Sequence, residues 1–189
     1  LSLNGGIDET RRRIDCKQII ADCLKLMRIS IPNNVRLRQN VQEIPCFVNA
    51  APTQLFRATV NLCKNALEAM QGTGGALSVD LRRVEFDVDD LKCHPDLKPG
   101  PYVKLRVQDS GCGIDPKIME RIFDPYFSTR DGENASGIGL AAVYGIVRDH
   151  GGGIEVASEL GKGTTFDLYF PALEEVEGAG TPAPEDFAK

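Results

Sequence analysis

The sequence has no uninterrupted apolar run of the ~18 residues that a membrane-spanning helix needs, and it has no signal-peptide pattern at its beginning. Basic residues are in the minority, since 22 Lys and Arg stand against 27 Asp and Glu. A general nucleic-acid surface requires a basic face, so we expect no nucleic-acid partner. Because an apolar span and a signal peptide are both lacking, we also expect no membrane contact by this chain and a cytoplasmic location. The weak net charge of -5 still allows a local site for one anionic ligand.

The cysteines also lack a metal-binding arrangement, because no two of them form a C-x-x-C pair. The six are Cys16, Cys23, Cys46, Cys63, Cys93 and Cys112. We expect reduced and mostly buried thiols, since the chain is long and carries no secretory signal. Cys93 stands beside His94, but two ligands without a third nearby favour a solvated loop over a metal site.

The length of 189 residues is enough for one domain with a substantial core. We expect a flexible lead over residues 1–14 and a folded domain over 15–171. Residues 172–189 contain Glu, Gly, Ala and Pro without periodicity, and they predict a disordered tail or a linker.

Helical and strand periodicities alternate over the folded part. The predicted helices cover about 8–31, 52–70, 115–122 and 139–150, and the predicted strands cover 35–38, 46–48, 77–84, 102–108, 154–157 and 164–170. Residues 85–101 are acidic and carry three prolines, which predicts a loop between two paired strands.

The predicted helix over 52–70 carries an informative polar stripe. At ~100° per residue the stripe holds Gln54, Arg57, Asn61, Lys64, Asn65 and Glu68. An ordinary solvated face is the simplest interpretation. Asn61 and Asn65 favour a functional one, because Asn costs ~0.5 kcal/mol against Ala in a helix and because i, i+4 spacing puts both amides on one side. An Asn carbonyl oxygen can ligate Mg²⁺, which usually takes its other oxygens from water and substrate phosphates.

Two glycine-containing stretches follow. Asp109 stands at the end of a predicted strand beside Gly111 and Gly113, which let backbone approach a ligand closely. Farther along, Gly137 and Gly139 open a predicted helix, whose unpaired N–H groups and positive dipole end suit phosphate. The working hypothesis is one site that holds a base at one end and phosphates at the other.

Four motifs therefore stand in a fixed order, and each is weak when taken alone. They are Asn61-x-x-x-Asn65-Ala66, Asp109-x-Gly111-x-Gly113, Phe123-Asp124-Pro125-Tyr126-Phe127, and Gly137-x-Gly139-Leu140 with a later Gly161-Lys162-Gly163-Thr164-Thr165-Phe166. Together, over about 15–171, they closely resemble the N, G1, F and G2 boxes of the catalytic and ATP-binding domain of sensor histidine kinases, in the GHKL ATPase superfamily. The resemblance implies an α/β (α+β) two-layer sandwich, with a mixed, mostly antiparallel sheet packed on three helices (the Bergerat or GHKL fold).

The resemblance also implies roles at the adenine end of an ATP site. Asp109 would accept a hydrogen bond from the adenine amino group, whereas a turn-capping role is the simpler alternative. Gly111 and Gly113 would give the adenine room. Thr164 would contact the adenine region directly or through water, and its alternative is a residue chosen for β-propensity.

At the phosphate end, the resemblance implies that Asn65 binds Mg²⁺ and that Asn61 orients the metal, a phosphate or the attacking group. Lys64 reaches a phosphate or is an ordinary solvated lysine. The backbone amides of the G2 box, at Gly137, Gly139 and Leu140, would receive phosphate oxygens.

A lid over this site is the last structural feature that the resemblance implies. Phe123 and Phe127 flank the lid, and they either pack it in the closed state or belong to the core. Arg130 would contact a phosphate from within it.

The implied reaction is transfer of the γ-phosphoryl group of Mg-ATP to a histidine imidazole. His94 and His150 are the only histidines, and neither has the context of the family's phosphoacceptor. We therefore expect an upstream dimerisation and histidine phosphotransfer domain and a response-regulator receiver domain as partners. The chain alone should be monomeric and should not autophosphorylate. Membrane anchoring of a longer protein is left open.

Two other functions remain as alternatives: another GHKL-type ATPase or serine kinase, and a degenerate nucleotide-binding module. The F box and the short span to Gly137 favour the histidine kinases, and retention of Asn65 and Asp109 argues against decay. Cys112 stands between the two G1 glycines, so its oxidation or alkylation is expected to block ATP if the thiol is exposed.

Overall fold

Three helices lie on one face of a five-stranded sheet in the computed structural model, which describes residues 10–92, 94, 97–128 and 137–174. The helices are α1 (Cys16–Met27), α2 (Pro52–Ala69) and α3 (Gly139–Asp149). The strands are β1 (Arg12–Asp15), β2 (Val35–Val41), β3 (Phe47–Ala50), β4 (Gly75–Phe86), β5 (Gly100–Asp109), β6 (Gly153–Glu159) and β7 (Gly163–Pro171). Single 3₁₀ segments cover Asp90–Lys92 and Pro116–Arg121.

The large sheet has the strand order β2-β4-β5-β7-β6. Among the described strands only β2 and β4 pair in parallel, and the chain crosses between them through α2. The other three pairings are antiparallel, so the sheet is mixed and mostly antiparallel. Buried side chains of all three helices and of the inner sheet face form one core. The predicted two-layer architecture is confirmed.

Helix α2 has one face in this core and a polar face on the opposite side. Pro52 occupies its first turn, where a missing N–H costs nothing. Its buried positions are Leu55, Ala58, Thr59, Leu62, Cys63 and Ala66, and the polar stripe lies on the other side. The amphipathic pattern predicted for 52–70 is confirmed.

His150 ties the C-terminal end of α3 to the N-terminal end of α2. Its ring is buried, and its Nδ1 lies 2.7 Å from the Ile146 carbonyl oxygen, to which it donates. Its Nε2 accepts a hydrogen bond from the Ala51 N–H at 3.2 Å. Both ring nitrogens therefore have structural partners, and the ring is in the neutral Nδ1–H tautomer.

The N-terminal prediction was wrong in part. The sequence places 12–14 in a flexible lead and begins a helix near residue 8, whereas the structure forms β1 there and begins α1 at Cys16. β1 pairs with β3, Ile14 is buried, and the Arg13 guanidinium lies 4.1 Å from the centroid of the Phe47 ring. Local periodicity cannot detect a pairing partner more than 30 residues away, and for this reason the pattern alone indicates a helix.

The C-terminal boundary also differs from the prediction. The tail was expected from residue 172, but Ala172 bridges Val48 and the Leu173 N–H donates to the Phe47 carbonyl at 2.8 Å. These residues extend the small β1–β3 sheet at its other edge. The remainder of the predicted lead, 1–9, and of the predicted tail, 175–189, lies outside the described residues.

His94, in the segment between β4 and β5, is packed rather than solvated, whereas residues 87–90 at the start of that segment are exposed. His94 Nδ1 lies 2.6 Å from Glu155 Oε1, and its ring centroid is 4.7 Å from that of Phe86. Phe86, at the end of β4, also packs against Tyr102 of β5 and Tyr169 of β7 on the outer sheet face, and both β4 and β5 run longer than predicted. Cys93 lies outside the described residues, and the described ranges contain no group of three or more His, Cys, Asp or Glu that could hold a metal.

Among the cysteines that the structure describes, Cys16, Cys23, Cys46 and Cys63 are buried as free thiols, and Cys112 is exposed and also free. Burial raises the pKa of Cys23 to about 11 and that of Cys63 to about 12. The buried thiols are therefore poor nucleophiles. No helix in the described part of the chain is both long enough and apolar enough to cross a membrane.

Replacing His150 by Leu should destabilise the fold. The variant leaves the buried Ala51 N–H without the ring nitrogen, and an unsatisfied buried donor costs about 1–3 kcal/mol. Urea unfolding monitored by circular dichroism measures the loss. Asp149→Asn, at the exposed neighbouring position, is the matched control and should change stability by less than ~0.5 kcal/mol. Equal stability of the two variants would contradict the tie between α2 and α3.

Candidate functional site

A cavity of about 530 Å³ opens between α2, the end of β5, the 3₁₀ segment Pro116–Arg121 and the start of α3. Its lining consists of Asn61, Lys64, Asn65, Glu68, Ala69, Asp109, Cys112, Gly113, Ile114, Asp115, Ile118, Ile122, Phe127, Ser128, Gly137, Gly139, Leu140, Thr164 and Phe166. The volume is within the usual range for a small-molecule site.

Asp109 lies at the inner end of this cavity. It is the last residue of β5, pairs with Thr164 of β7 and is only 6% exposed. Its Oδ1 accepts a hydrogen bond from the Gly111 N–H at 2.8 Å. Burial raises the pKa of the Asp109 carboxyl, and hydrogen bonds from the backbone N–H groups of Gly111 and Thr164 oppose part of that rise. The cavity thus has a buried acceptor that gains from a ligand donor.

The loop after Asp109 is held at both sides. The Cys112 N–H donates to the Ala69 carbonyl at the end of α2 at 3.1 Å, and the Gly161 N–H donates to the Cys112 carbonyl at 2.8 Å. Gly113 has a φ of +72°, and a Cβ on it would collide with the Glu159 backbone. The loop can therefore follow this path only with glycine at position 113.

Gly111 is placed differently from Gly113. It packs against the end of α2, where a Cβ would lie 2.6 Å from the Ala69 carbonyl oxygen, and it is set back from the cavity lining. This packing requires glycine at position 111 whether or not a ligand is bound. The predicted role of giving an adenine room therefore rests on Gly113 and the loop as a whole.

Three predicted residues of α2 line the opposite part of the cavity. They are Asn61, Lys64 and Asn65, which lie within about one turn of the helix and all on the polar stripe. The Asn61 Nδ2 donates to the Gly139 carbonyl at 3.2 Å, which orients the carboxamide and ties α2 to the start of α3. Lys64 is exposed at the rim, and Asn65 is half-buried.

This donor set fits Mg²⁺ better than an all-protein metal cage. The α2 face offers neutral carboxamide oxygens from Asn61 and Asn65 beside the carboxyl of Glu68. No acidic or histidine cluster of three accompanies them among the described residues. Mg²⁺ usually keeps several waters and binds through one or two protein oxygens plus phosphates, so such a partial site is what it requires.

The start of α3 closes the cavity beside α2. Gly139 and Leu140 form its first turn and line the cavity, so unpaired backbone N–H groups and the positive dipole end lie there. Gly137 has a φ of +60°, and its carbonyl accepts a hydrogen bond from the Tyr126 N–H at 3.1 Å. The chain before Phe127 and the G2 box are thereby joined directly.

The structure brings together ten of the twelve predicted site residues: Asn61, Lys64, Asn65, Asp109, Gly113, Phe127, Gly137, Gly139, Leu140 and Thr164. Gly111 is set back as described, and Arg130 lies outside the described residues. Phe127 packs under the Arg121 guanidinium at 4.5 Å, while Phe123 packs on Tyr144. Placement in one cavity leaves the individual roles as predictions.

The sequence reasoning missed the apolar wall of the cavity. Ile114, Ile118 and Ile122 line it together with Phe166. Their spacing of four residues, from just before Asp115 to just after the 3₁₀ segment, was a usable signal, because a helical turn brings residues three to four apart to one side. Such a wall suits the faces of a planar, weakly polar group.

Comparison with known proteins gives the following relatives. Residues 50–174 match the family described as "Histidine kinase-, DNA gyrase B-, and HSP90-like ATPase". The sensor kinase CckA of Brucella abortus is 35% identical over 167 residues, which are 88% of this chain and 18% of CckA. The sensor histidine kinase ZraS of Escherichia coli K12 is 34% identical over 159 residues, which are 84% of this chain and 30% of ZraS.

Among solved structures, a mycobacterial sensor histidine kinase MprB superposes with a TM-score of 0.68 at 25% identity. The superposition covers 86% of this chain and 97% of that one. The chain spans only about a fifth to a third of the length of the two curated relatives named above.

Replacing Asp109 by Asn should stabilise the ligand-free fold at neutral pH. Burial raises the carboxyl pKa in the folded state, so the ionised form costs stability, and this cost develops as pH rises through the folded-state pKa. The Asn variant escapes it. The difference in unfolding free energy should therefore favour Asn at pH 7 and shrink towards zero near pH 4.

Urea titrations of both proteins at several pH values measure this difference. Asp22→Asn is the matched control, since that carboxylate is exposed on α1, and it should show a difference near zero. An Asp109→Asn variant that is less stable than the wild type at pH 7 would show that the carboxyl hydrogen bonds outweigh its desolvation.

Proposed function

The chain belongs to the histidine kinase-, DNA gyrase B- and HSP90-like ATPase family, and from that premise we propose that it is the ATP-binding catalytic domain of a two-component sensor histidine kinase. The family resemblance and the fold predicted from the four motifs are confirmed. The observation that carries the functional proposal is the cavity that joins a buried carboxylate at one end to two carboxamides and a helix N-terminus at the other.

The adenine would bind at the Asp109 end. A buried carboxylate that already accepts backbone hydrogen bonds from Gly111 and Thr164 still has acceptor capacity for an exocyclic amino group. A hydrogen bond to a charged group contributes about 1.5–3 kcal/mol, more than a neutral pair contributes. The apolar wall formed by Ile114, Ile118 and Phe166 would pack against the purine ring.

The triphosphate would extend towards α2 and α3. N–H groups in the first turn of α3 would receive phosphate oxygens, with the helix dipole favouring negative charge. Asn65 would hold Mg²⁺, which when bound neutralises charge on the phosphates. Asn61 would orient the metal, a phosphate or the attacking group. Lys64 at the rim would meet the outer phosphates as a point charge.

These groups bind, orient and neutralise, which is most of what phosphoryl transfer requires. No protein nucleophile is needed within the cavity, and the placement of the two histidines agrees with this. His150 has both ring nitrogens engaged in the core, and His94 is packed on the outer sheet face. The phosphoacceptor imidazole would therefore come from a separate domain.

The partners follow from the same proposal. A dimerisation and histidine phosphotransfer domain would present the imidazole, and a response-regulator receiver domain would accept the phosphoryl group from it. The chain by itself would bind ATP and would remain monomeric and unphosphorylated. The short span relative to CckA and ZraS agrees with further domains in such proteins.

Titration calorimetry with a non-hydrolysable ATP analogue, with and without Mg²⁺, tests the proposal. The wild type should bind, and Asp109→Asn should weaken binding about 10- to 100-fold because a charged acceptor is lost. Asn65→Ala should remove the dependence of affinity on Mg²⁺. Asn40→Ala, on the exposed face of β2, is the matched control and should bind like the wild type.

A folded wild type that binds no nucleotide would reject the kinase assignment and favour the degenerate binding module. Binding with full Mg²⁺ dependence in Asn65→Ala would leave ATP binding in place and remove Asn65 from the metal site.

Alkylation of Cys112 should block nucleotide binding. The thiol is exposed, and Cys112 lines the cavity beside Gly113, so an adduct occupies space that the base requires. Treatment with N-ethylmaleimide should weaken binding at least about tenfold, and bound ATP should slow the modification. Mass spectrometry identifies the modified residue. The Cys112→Ser variant should bind nucleotide and resist the reagent, and unchanged affinity of protein alkylated at Cys112 would refute the block.

A further inference from the structure

Ser158 lies behind the cavity wall, near the end of β6, and contacts two of the residues that line it. Its Oγ lies 2.9 Å from the Oγ1 of Thr164 and accepts a hydrogen bond from the Ile114 N–H at 2.8 Å. The same Oγ donates to the Gly163 carbonyl at 3.0 Å. One hydroxyl thus joins the loop after Asp109 to the start of β7.

The number of protons in this cluster determines which group donates in each hydrogen bond. A serine hydroxyl has one proton and two acceptor lone pairs. The Gly163 carbonyl can only accept, so it takes the Ser158 proton, and the Ile114 N–H can only donate, so it takes one lone pair. The contact with Thr164 must then use the remaining lone pair of Ser158, and the Thr164 hydroxyl is its donor.

This arrangement fixes what Thr164 offers to the cavity. Because its single proton points back to Ser158, its Oγ1 presents only acceptor lone pairs on the cavity side. Thr164 is the cross-strand partner of Asp109, which is also an acceptor when ionised. Two neighbouring acceptors favour a ligand group with two protons and disfavour one that is itself an acceptor.

We propose that Ser158 is a positioning residue for base specificity: by taking the proton of Thr164, it makes the Asp109–Thr164 end of the cavity selective for a 6-amino purine over a 6-keto purine. The inference rests on the proposed function, since it requires that a purine bind at this end. Ser158 acts through Thr164, directly or through a water held between Thr164 and the base.

Loss of Ser158 would release the Thr164 proton. In Ser158→Ala the hydroxyl of Thr164 is free to rotate and can donate to a keto oxygen as readily as it accepts from an amino group. Discrimination against the keto base should therefore fall. A purely structural role, in which Ser158 only holds the Ile114 N–H, would weaken binding of both bases equally and leave their ratio unchanged.

The test compares dissociation constants for ATP and inosine 5′-triphosphate, which carries a keto oxygen in place of the amino group. Calorimetry on the wild type should show tighter binding of ATP. Ser158→Ala should lower the ratio of the two constants about three- to tenfold, the size of one neutral hydrogen bond. Ser158→Thr, which keeps the hydroxyl, should retain the wild-type ratio. Ser78→Ala is the matched control, since Ser78 bonds Asp80 on β4 away from the cavity.

A double-mutant cycle tests whether Ser158 acts through Thr164. Thr164→Val removes the hydroxyl itself and should lower the ratio by a similar factor, and adding Ser158→Ala to it should lower the ratio no further. If Ser158→Ala fails to fold by circular dichroism, Ser158→Thr and Thr164→Val carry the test, and an unchanged ratio in Thr164→Val overturns the proposal.

Two other outcomes overturn it while leaving the proposed function standing. One is an unchanged ratio in Ser158→Ala, and the other is the same fall in ratio with and without the Thr164 hydroxyl. A folded wild type that binds neither nucleotide overturns the proposed function and this inference together.

Discussion

The pairing register between β5 and β7 is the constraint on which the site depends. On the inner sheet face Leu105 pairs with Leu168 and Val107 with Phe166, and all four side chains are in the core. The next inward-facing pair is Asp109 with Thr164. Polar groups therefore replace apolar ones just where the helices stop covering the sheet, and the cavity opens there. A slip of β7 by one residue would turn Thr164 to the outer face and leave Asp109 without it.

The same register places the carboxylate of Asp109 where burial disfavours its charge, and the surrounding backbone compensates only in part. Burial disfavours the ionised Asp109, and backbone hydrogen bonds from Gly111 and Thr164 offset part of the desolvation free energy. A hydrogen-bond donor on a ligand would offset more of it. The ligand-free fold is thus less stable at this point than an apolar continuation of the strand would make it, as is common where a protein keeps a site ready for binding.

Helix α2 shows which parts of this arrangement could be predicted from sequence. Its 3.6-residue period gave both faces correctly, because the signal is local and the core determines it. The four motifs, taken together, also predicted the sandwich and ten of the residues that line the cavity. The first motif was informative because it places Asn61 and Asn65 inside a helix, where propensity alone would not.

The failures share a physical cause, which is that they depend on contacts distant in sequence. β1 exists because β3 is available to pair with it, and His94 is packed because Glu155 and the aromatic cluster lie across the sheet. Gly111 looked like part of the base site, but the backbone of Ala69 explains it. Ser158 had no motif at all, and its relation to Ile114 and Thr164 is visible only after two loops meet.

Charged side chains on the outer sheet face hold the register between β5 and β7 in place. Arg106 of β5 donates two hydrogen bonds to Asp167 of β7, at 2.7 and 2.8 Å, and Lys104 approaches the same carboxylate at 2.8 Å. Although burial opposes it, these partners lower the pKa of Asp167, so the carboxylate is ionised at neutral pH. Arg106 and Asp167 are directly opposed across the strands, and a slip would leave a largely buried carboxylate without its fork-shaped partner. The charges on the outer face thus exclude the alternative pairings and keep Asp109 beside Thr164 on the inner face.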